Sequence, residues 1–485
     1  MSERPGRPFL GGWGRCIVPP LAGGLYLARC WCESRPQGLR GVELFLAVTA
    51  GLGLAAAGVT LLRRLRAQSW PLVLLVVYLL WPQADGRLRL GAGVVALGAF
   101  LLAQRRPAAL RAWMLDLALA GAALGLYLAT LAPTVQPADA GEFQLVSYVL
   151  GIAHPPGYPL YTLLGKAFTL LPAGDAAWRV NLFAAVCAAA TLAVVSRAVR
   201  QATGSAAAGV LAALALGLVP TFWSQATLAN VRSLTGLLVA LAIYFLLRCG
   251  QTRSSSDLLA FAVSFGLGAG HHSSMVLLAL PFAAYLVAVD RRLLVQPRRW
   301  LGPAAGLGAS LLVLLYLPLR SAMRPAFDPE PIRTLDGFLG HVLALGFRGD
   351  FLYFLRQPTL GARFGVLADI LRIEFGWGLG LLALALGVAA ARRRAAWLVL
   401  WGGVATVNSL AAVTYRAPQT VEYLLPTYVA LAVGLGLGLG SLSPSPSEGE
   451  GRGEGERRQG GESPSGEGVG CAGHSPRTPP SPLQG

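Results

Sequence analysis

Two carboxylates and a histidine lie close together in a short segment of an otherwise apolar chain. Asp139, Glu142 and His154 fall within PADAGEFQLVSYVLGIAHPPGYPLY, at residues 137–161. A carboxylate in a partly desolvated site, oriented by a neighbouring group, can act as a general base that takes a proton from an incoming hydroxyl. The same spacing is typical of a helix start in which Asp139 is the N-cap and Glu142 completes a capping box. The spacing alone leaves both interpretations open.

The chain around this segment has the composition of a polytopic membrane protein. Hydrophobic residues make up 54% of its 485 residues and charged residues 13%, which excludes an ordinary soluble globular protein. A bilayer core needs roughly 20 apolar residues per helix, and the apolar runs predict an all-α integral membrane protein with about thirteen transmembrane helices. The predicted spans are 41–62, 70–82, 88–104, 113–131, 182–196, 205–222, 233–248, 258–270, 275–289, 300–318, 366–390, 395–414 and 422–441.

Basic residues predict which side of the membrane each loop faces. The formal net charge of +17 comes largely from arginines that cluster in short loops. Such clusters are typical of cytoplasmic loops rather than of a nucleic-acid-binding protein. With these clusters inside, the loops 132–181, 223–232, 319–365 and 415–421 lie on the outer face. The sequence therefore predicts membrane lipid as a partner and no nucleic acid.

Composition divides the chain into four segments. Residues 1–40 are predicted to be an irregular leader, because two prolines interrupt their short apolar run, although a signal anchor or a further span would also fit. Residues 41–111 are predicted to form accessory transmembrane helices, and 112–441 the working membrane domain. Residues 442–485 are rich in Ser, Pro, Gly and Glu, and we expect them to form a disordered tail.

The first long outer loop, 132–181, carries the acidic segment and is predicted to be structured. Residues 143–152 and 158–171 are apolar at helical spacing but too short to cross a bilayer comfortably, which predicts helices lying along the membrane surface. The HPPGYP turn between them is rigid, because its prolines fix φ and lack an N–H donor. We expect this loop to hold the carboxylates at the edge of the membrane.

Three motifs of this loop, in order, resemble a family of polytopic membrane proteins grouped with the protein O-mannosyltransferases. They are Asp-x-Gly-Glu-Phe at 139–143, His-Pro-Pro-Gly-Tyr-Pro-Leu at 154–160 and Arg-x-Asn-Leu at 179–182. The resemblance continues more weakly to residue 440, through the stretches FWSQATLANVR, GLGAGHHSS, LYLPLRS and EYLLP. One departure is clear, because the family usually has Glu-Val-Tyr where this chain has Asn-Val-Arg at 230–232.

The resemblance implies a GT-C-like catalytic domain over 112–441, with an acidic residue of the first outer loop as the base. It implies transfer of a sugar, expected to be mannose, from a polyprenyl-phosphate donor to an acceptor hydroxyl of a protein or a glycan. A single base driving direct displacement would invert the anomeric carbon. No cofactor and no metal are expected. The expected location is a bacterial inner membrane, with the active site on the outer face.

The site residues follow from the motifs and from the cost of polar side chains at membrane depth. Arg320 has the geometry to bind a lipid phosphate, although an arginine at a helix end can also simply extend into the headgroups. Arg416 is predicted to join Glu422 and Tyr423 in a donor site. The full prediction is Asp139 as catalytic base and Glu142 as second carboxylate, with His154, Tyr158, His271, His272, Arg320, Arg416 and Tyr423 binding substrate.

Two other classes of protein remain open from the sequence. A transporter would also be polytopic, but paired Gly or Pro breaks in two halves of the chain, which would favour it, are not clear. A non-catalytic scaffold that keeps the fold is the closer rival, because of the departure at 230–232. Asp139 distinguishes them, since a scaffold should tolerate its loss and a transferase should not.

Overall fold

Long apolar helices rich in Leu, Ala and Gly make up most of the chain. The computed structural model describes residues 14–33, 41–64, 68–80, 108–171, 173–417 and 420–442, with scattered residues between 84 and 100. No strand occurs in these ranges. In chain order the helices are α1 (Gly14–Glu33), α2 (Gly41–Arg64), α3 (Val76–Leu79), α4 (Ala108–Ala129), α5 (Asp139–Val149), α6 (Pro159–Thr169), α7 (Ala176–Thr203), α8 (Ala206–Gly217), α9 (Pro220–Ala226), α10 (Val231–Thr252), α11 (Ser255–His271), α12 (Ser274–Leu277), α13 (Ala279–Val289), α14 (Leu301–Leu311), α15 (Tyr316–Ala322), α16 (Leu335–Val342), α17 (Leu360–Arg393), α18 (Ala395–Thr414), α19 (Thr420–Tyr423) and α20 (Leu425–Leu442).

The described helices support a multi-pass membrane protein with fewer full-length spans than the sequence predicts. Six helical segments are long and apolar enough to cross a membrane, and a bent pair adds a seventh. Shorter apolar stretches lie at Trp70–Leu79, Trp113–Ala129 and Ser274–Val289, and the second belongs to the 22-residue helix α4. The all-α architecture therefore agrees with the prediction, whereas thirteen spans are not confirmed. The segments are Gly41–Arg64, Ala176–Thr203, Val231–Thr252, Pro297–Ala322, Ala395–Thr414, Leu425–Leu442 and the pair Ala206–Gly217 with Pro220–Ala226.

The irregular conformation predicted for 1–40 is wrong where the structure describes it, because residues 14–33 form helix α1 with Pro19 and Pro20 inside. Close packing against α2 accounts for this helix. A Cβ at Gly24 would lie 2.2 Å from the carbonyl oxygen of Gly51, so only glycine lets the two backbones approach this closely. The tail predicted at 442–485 lies, apart from its first residue, outside the described residues.

Helix α7 organises the part of the fold that carries the acidic segment. It packs against α4, α8 and α10, and helices α5 and α6 of the loop 132–181 rest on it. The two predicted loop helices are present, although α5 begins four residues earlier than the apolar pattern suggests. Phe143, Tyr161 and Phe183 form part of a buried cluster that joins both loop helices to α7 and to the start of α10. The loop is thereby held by apolar packing.

A buried carboxylate stabilises the bend that leads into the site. The chain bends by 76° between helices α8 and α9. Pro220 lies in the first turn of α9, where a backbone N–H has no partner within the helix, so its missing N–H costs no hydrogen bond. Glu374 of α17 accepts hydrogen bonds from the backbone N–H of Thr221 at 2.9 Å and from its hydroxyl at 2.5 Å. This carboxylate satisfies one backbone N–H at the N-terminus of α9, where a negative charge is favoured. The connection after α9 then runs directly to the start of α10.

Candidate functional site

Asp139 and Glu142 both lie in the first turn of α5, and neither caps the helix. The N-cap is Ala138, with φ 55° and ψ −142°, and no side chain caps this end. The capping-box interpretation is therefore wrong. A non-glycine residue with this backbone conformation is strained by about 1–3 kcal/mol, and such strain concentrates at functional sites. Gly141 permits this start, because a Cβ there would lie 2.4 Å from the carbonyl oxygen of Gln136.

Glu142 and His154 form a doubly hydrogen-bonded pair across the turn between the motifs. The Nδ1 atom of His154 lies 2.5 Å from Oε2 of Glu142, and the backbone N–H of His154 donates to Oε1 at 2.8 Å. The carboxylate raises the pKa of His154 above its usual value. Burial by itself would raise the pKa of Glu142, but the hydrogen bonds from His154 outweigh it and lower that pKa. The pair is thus stabilised in its charged form, and Glu142 orients the imidazole.

Asp139 completes a three-residue cluster with this pair. Ligand atoms of Asp139, Glu142 and His154 all lie within 4.8 Å of one another, and all three residues are half-buried. Within the described residues, the Asp139 carboxylate accepts no hydrogen bond and forms no ion pair, unlike Glu142. Its oxygens are therefore available to an incoming hydroxyl. A carboxylate without a partner of its own, beside an oriented charged pair, has the geometry that a general base requires.

The same three side chains have the donor types that bind a divalent cation, although they suit one poorly. They supply three ligands, whereas Mg²⁺ and Mn²⁺ prefer about six, and a metal-bound histidine must be neutral. His154 is instead held towards its protonated form by Glu142. That the reaction needs no metal stays a prediction, and removal of divalent metals by a chelator would test it.

Tyr158 connects this cluster to the predicted histidine pair. Its buried ring lies 5.5 Å from the ring of His154 and 6.0 Å from those of His271 and His272, measured between centroids. Tyr158 is also the N-cap residue of α6, with a left-handed φ of 46°. His271 is buried, and its Nε2 atom lies 3.0 Å from the carbonyl oxygen of Val231. The structure thus brings together His154, Tyr158, His271 and His272. Their binding of substrate stays a prediction.

Asn181 of the third motif joins the loop 132–181 to the long apolar helices. Its Oδ1 accepts from Nε2 of Gln144 at 2.8 Å and from the backbone N–H of Ala229 at 2.9 Å, while its Nδ2 donates to the carbonyl of Ala132 at 2.9 Å. Asn181 is fully buried. A buried amide with its polar atoms satisfied in this way fixes geometry. The motif therefore positions α5 and the start of α10 with respect to each other.

A second polar group, centred on Arg232, lines a cavity beside His272. The cavity is small, with room for about one water molecule while Glu422 is in place. Arg232 forms an ion pair with Glu422 at 2.9 Å, and its guanidinium lies 4.8 Å from the ring centroid of Tyr423. The lining residues are Arg232, Thr235, His272, Ser274, Glu422, Tyr423, Leu425 and Pro426. The sequence did not predict Arg232 as a site residue. It indicated Arg232 only as a departure from the family pattern and as a cation in a loop predicted to face outwards.

Arg320 and Arg416, both predicted to bind substrate, instead contact other groups of the protein. Arg320 donates from Nε to the carbonyl of Leu150 at 2.7 Å and from Nη2 to that of Val149 at 3.3 Å. It therefore satisfies carbonyls at the C-terminus of α5, where a cation is favoured. Arg416 pairs with Asp350 at 2.6 Å, and neither arginine lines the cavity. The predicted grouping of Arg416 with Glu422 and Tyr423 is wrong, because Arg232 occupies that place.

The departure at 230–232 has a local structural explanation at its first residue. Asn230 is the N-cap of α10 and accepts a hydrogen bond from the backbone N–H of Ser233 at 2.8 Å. Its Nδ2 atom donates to the carbonyls of Gln225 and Leu228. Asparagine is among the most favourable N-cap residues. The side chain of Asn230 thus stabilises the start of the helix that carries Arg232.

The fold and the site define a class, a multi-pass all-α membrane protein with a polar site beside its first long loop. Residues 139–295 match the family model described as the Protein O-mannosyl-transferase TMEM260 N-terminal domain. This match begins at Asp139 and includes His154, Tyr158, Asn181 and Arg232. The predicted resemblance to the protein O-mannosyltransferase-like family is confirmed.

Two curated relatives carry the same description. Protein O-mannosyl-transferase TMEM260 of Mus musculus is 33% identical over 221 residues, which cover 44% of this chain and 31% of the relative. Protein O-mannosyl-transferase tmem260 of Dictyostelium discoideum is 25% identical over 239 residues, which cover 45% of this chain and 29% of the relative. The chain thus spans about a third of the length of these relatives. Both relatives are eukaryotic, so they do not support the predicted bacterial inner membrane. No solved structure matches this chain.

Proposed function

We propose that this protein is a membrane mannosyltransferase of GT-C type that uses a polyprenyl-phosphate-linked sugar. The acceptor is a hydroxyl that reaches Asp139 from the outer, non-cytoplasmic face, and a protein Ser or Thr agrees with the relatives' descriptions. The single observation that carries the proposal is the carboxylate of Asp139. Among the described residues it is the member of the cluster without a hydrogen bond of its own, and it lies beside an oriented charged pair.

The reaction balances with Asp139 as the base. Asp139 takes the proton of the acceptor hydroxyl while the hydroxyl oxygen attacks the anomeric carbon of the sugar. The bond between that carbon and the lipid phosphate breaks, and the phosphate leaves with the electron pair. Attack from the face opposite the leaving group inverts the anomeric carbon. Glu142 keeps His154 oriented, which leaves Asp139 as the proton acceptor.

Sugar transfer in membranes tests this proposal directly. Membranes that contain the full chain or Asp139→Asn are supplied with labelled polyprenyl-phosphate mannose, and label is counted in protein and in lipid-free glycan. Loss of a general base should reduce transfer by about 10²–10⁴-fold at an unchanged protein level. Asp336→Asn is the matched control, because Asp336 is an exposed carboxylate in the first turn of another outer-loop helix, α16. Equal transfer by wild type and Asp139→Asn would reject Asp139 as the base.

A further inference from the structure

We propose that the cavity around Arg232 binds the phosphate of the lipid-linked donor, and that Glu422 occupies Arg232 until the phosphate replaces it. The identity of the lipid rests on the proposed function, whereas the recognition of a phosphate group rests on the contacts of Arg232, Glu422 and His272. The cavity lies at the N-terminal end of α10, which is one of the membrane-spanning segments. A phosphate attached to a lipid is expected at such a helix end.

Arg232 contacts Tyr423 and Glu422, and a ligand could replace Glu422 more easily than Tyr423. The guanidinium stacks on the ring of Tyr423, and its side chain is 10% exposed. Glu422 is more exposed, at 23%, and belongs to the four-residue helix α19. Its carboxylate can therefore move towards water without unfolding a long element, whereas Arg232 sits in the first turn of α10. A phosphate offers the guanidinium the same bidentate geometry as a carboxylate, with more charge.

His272 supplies a second donor on the same cavity wall. Its Nδ1 atom accepts a hydrogen bond from the backbone N–H of Ser274 at 3.2 Å and lies 2.8 Å from the Ser274 hydroxyl. Because a backbone N–H can only donate, Nδ1 carries no proton, and the neutral ring must carry it on Nε2. The residues that line the cavity thus include a guanidinium and an imidazole whose Nε2 can donate. Both are groups that bind phosphate oxygens.

The cavity is also close enough to the acidic cluster to share one substrate. The ring of His272 lies 6.0 Å from that of Tyr158, and the ring of Tyr158 lies 5.5 Å from that of His154. The positive charge of Arg232 lowers the pKa of His154, against the larger effect of Glu142. A sugar whose phosphate is bound at Arg232 can therefore extend past Tyr158 towards Asp139. The leaving group would then lie on the side of the sugar away from the base.

Binding of a lipid phosphate without sugar tests this proposal separately from catalysis. The purified full chain in lipid nanodiscs is titrated with polyprenyl phosphate, comparing wild type, Arg232→Gln and Glu422→Gln. We expect Arg232→Gln to weaken binding roughly tenfold or more, since it removes a charged hydrogen-bond donor. We expect Glu422→Gln to tighten binding roughly two- to fivefold, because a competing anion is removed. A merely structural ion pair would instead make both substitutions act in the same direction.

The chain contains a matched control for these substitutions. Arg416 pairs with Asp350 and stacks 4.6 Å from the ring centroid of Tyr353, which repeats the arginine, carboxylate and tyrosine grouping away from the cavity. Arg416→Gln and Asp350→Asn should leave lipid binding unchanged. Unchanged binding in Arg232→Gln, or equal weakening in Arg232→Gln and Glu422→Gln, would overturn the proposal.

Inorganic phosphate distinguishes the two sources of the ligand. Competition between inorganic phosphate and the lipid, lost in Arg232→Gln, would support recognition of the headgroup itself. Binding of inorganic phosphate alone, with no binding of polyprenyl phosphate, would overturn the assignment to a lipid. Since the assay requires no sugar transfer, Arg232-dependent lipid binding without Asp139-dependent transfer would refute the proposed base and keep the phosphate site.

Discussion

The Nδ1 atom of His154 lies 2.5 Å from a carboxylate oxygen of Glu142, although the two residues are twelve positions apart in the chain. A second bond, from the backbone N–H of His154 to the same carboxylate, prevents the histidine from turning away. The Glu-Phe and His-Pro-Pro motifs are therefore two halves of one structural unit. Asp139, one helical turn before Glu142, shares this unit without being bonded into it.

Replacing Glu142 by Gln should impair transfer by misplacing His154. We expect a reduction of about 10–100-fold, because small displacements of an aligned group are costly in rate. The pKa of His154 should fall, since Glu142 is what raises it. The fall should appear in the titration of the His154 ring by NMR of labelled protein in nanodiscs. An unchanged His154 pKa in Glu142→Gln would contradict the pairing.

The pair should also make the outer loop most stable within a defined pH range. The pKa of His154 is raised on folding, so its contribution is complete below about 6.5 and is lost as the pH rises through the folded value. The pKa of Glu142 is lowered on folding, so its contribution is lost as the pH falls below about 4.3 towards the folded value. Limited proteolysis of 139–160 should therefore be slowest between these limits. A pH-independent rate in wild type, or the same profile in Glu142→Gln, would contradict this.

Adding a methyl group at Gly141 should disturb the start of α5. A Cβ there would lie 2.4 Å from a backbone carbonyl oxygen of Gln136, which cannot move aside as a flexible side chain can. We expect Gly141→Ala to cost on the order of 1–3 kcal/mol in unfolding free energy and to reduce transfer. Gly340→Ala is the control, since a Cβ at Gly340 meets nothing within 4 Å. Equal thermal stability of the two variants would show that α5 starts differently.

Truncating Asn181 should loosen the outer loop from the membrane helices. Asn181→Ala leaves the amide of Gln144, the N–H of Ala229 and the carbonyl of Ala132 without their partner. Each unsatisfied buried group costs about 1–3 kcal/mol, so a clear loss of thermal stability is expected. Gln201→Ala, at an exposed position of the same helix, should change little. Faster proteolysis of the loop should accompany the loss, and an unchanged rate would refute the anchoring role.

Removal of divalent metals should leave transfer intact. The three side chains near Asp139 supply few ligands, and His154 is held towards its protonated form. Transfer measured after treatment with EDTA should equal that of untreated membranes. A loss that Mn²⁺ or Mg²⁺ restores, and that Asp139→Asn abolishes, would instead assign a metal to this cluster.

The sequence by itself determined the features that depend on composition and on neighbours in the chain. Apolar runs are sufficient to indicate membrane helices, and two short helices in the first outer loop follow from their spacing. The motifs also indicated Asp139, Glu142 and His154 as candidate site residues, because these three residues lie within one short segment of the sequence. Thirteen full-length spans are not confirmed, because six helices of the described residues, or seven with the bent pair, are long and apolar enough to cross a membrane.

Only the tertiary structure decided which side chains meet. Whether Asp139 caps α5 depends on the backbone of Ala138, which no residue pattern specifies. Arg320 serves the end of α5 and Arg232 the cavity, although both are arginines near ends of membrane helices. Arg232 and Glu422 are 190 positions apart in the numbering, yet their charged atoms lie 2.9 Å apart. Contacts between such distant residues arise from helix packing, and packing is a property of the whole bundle.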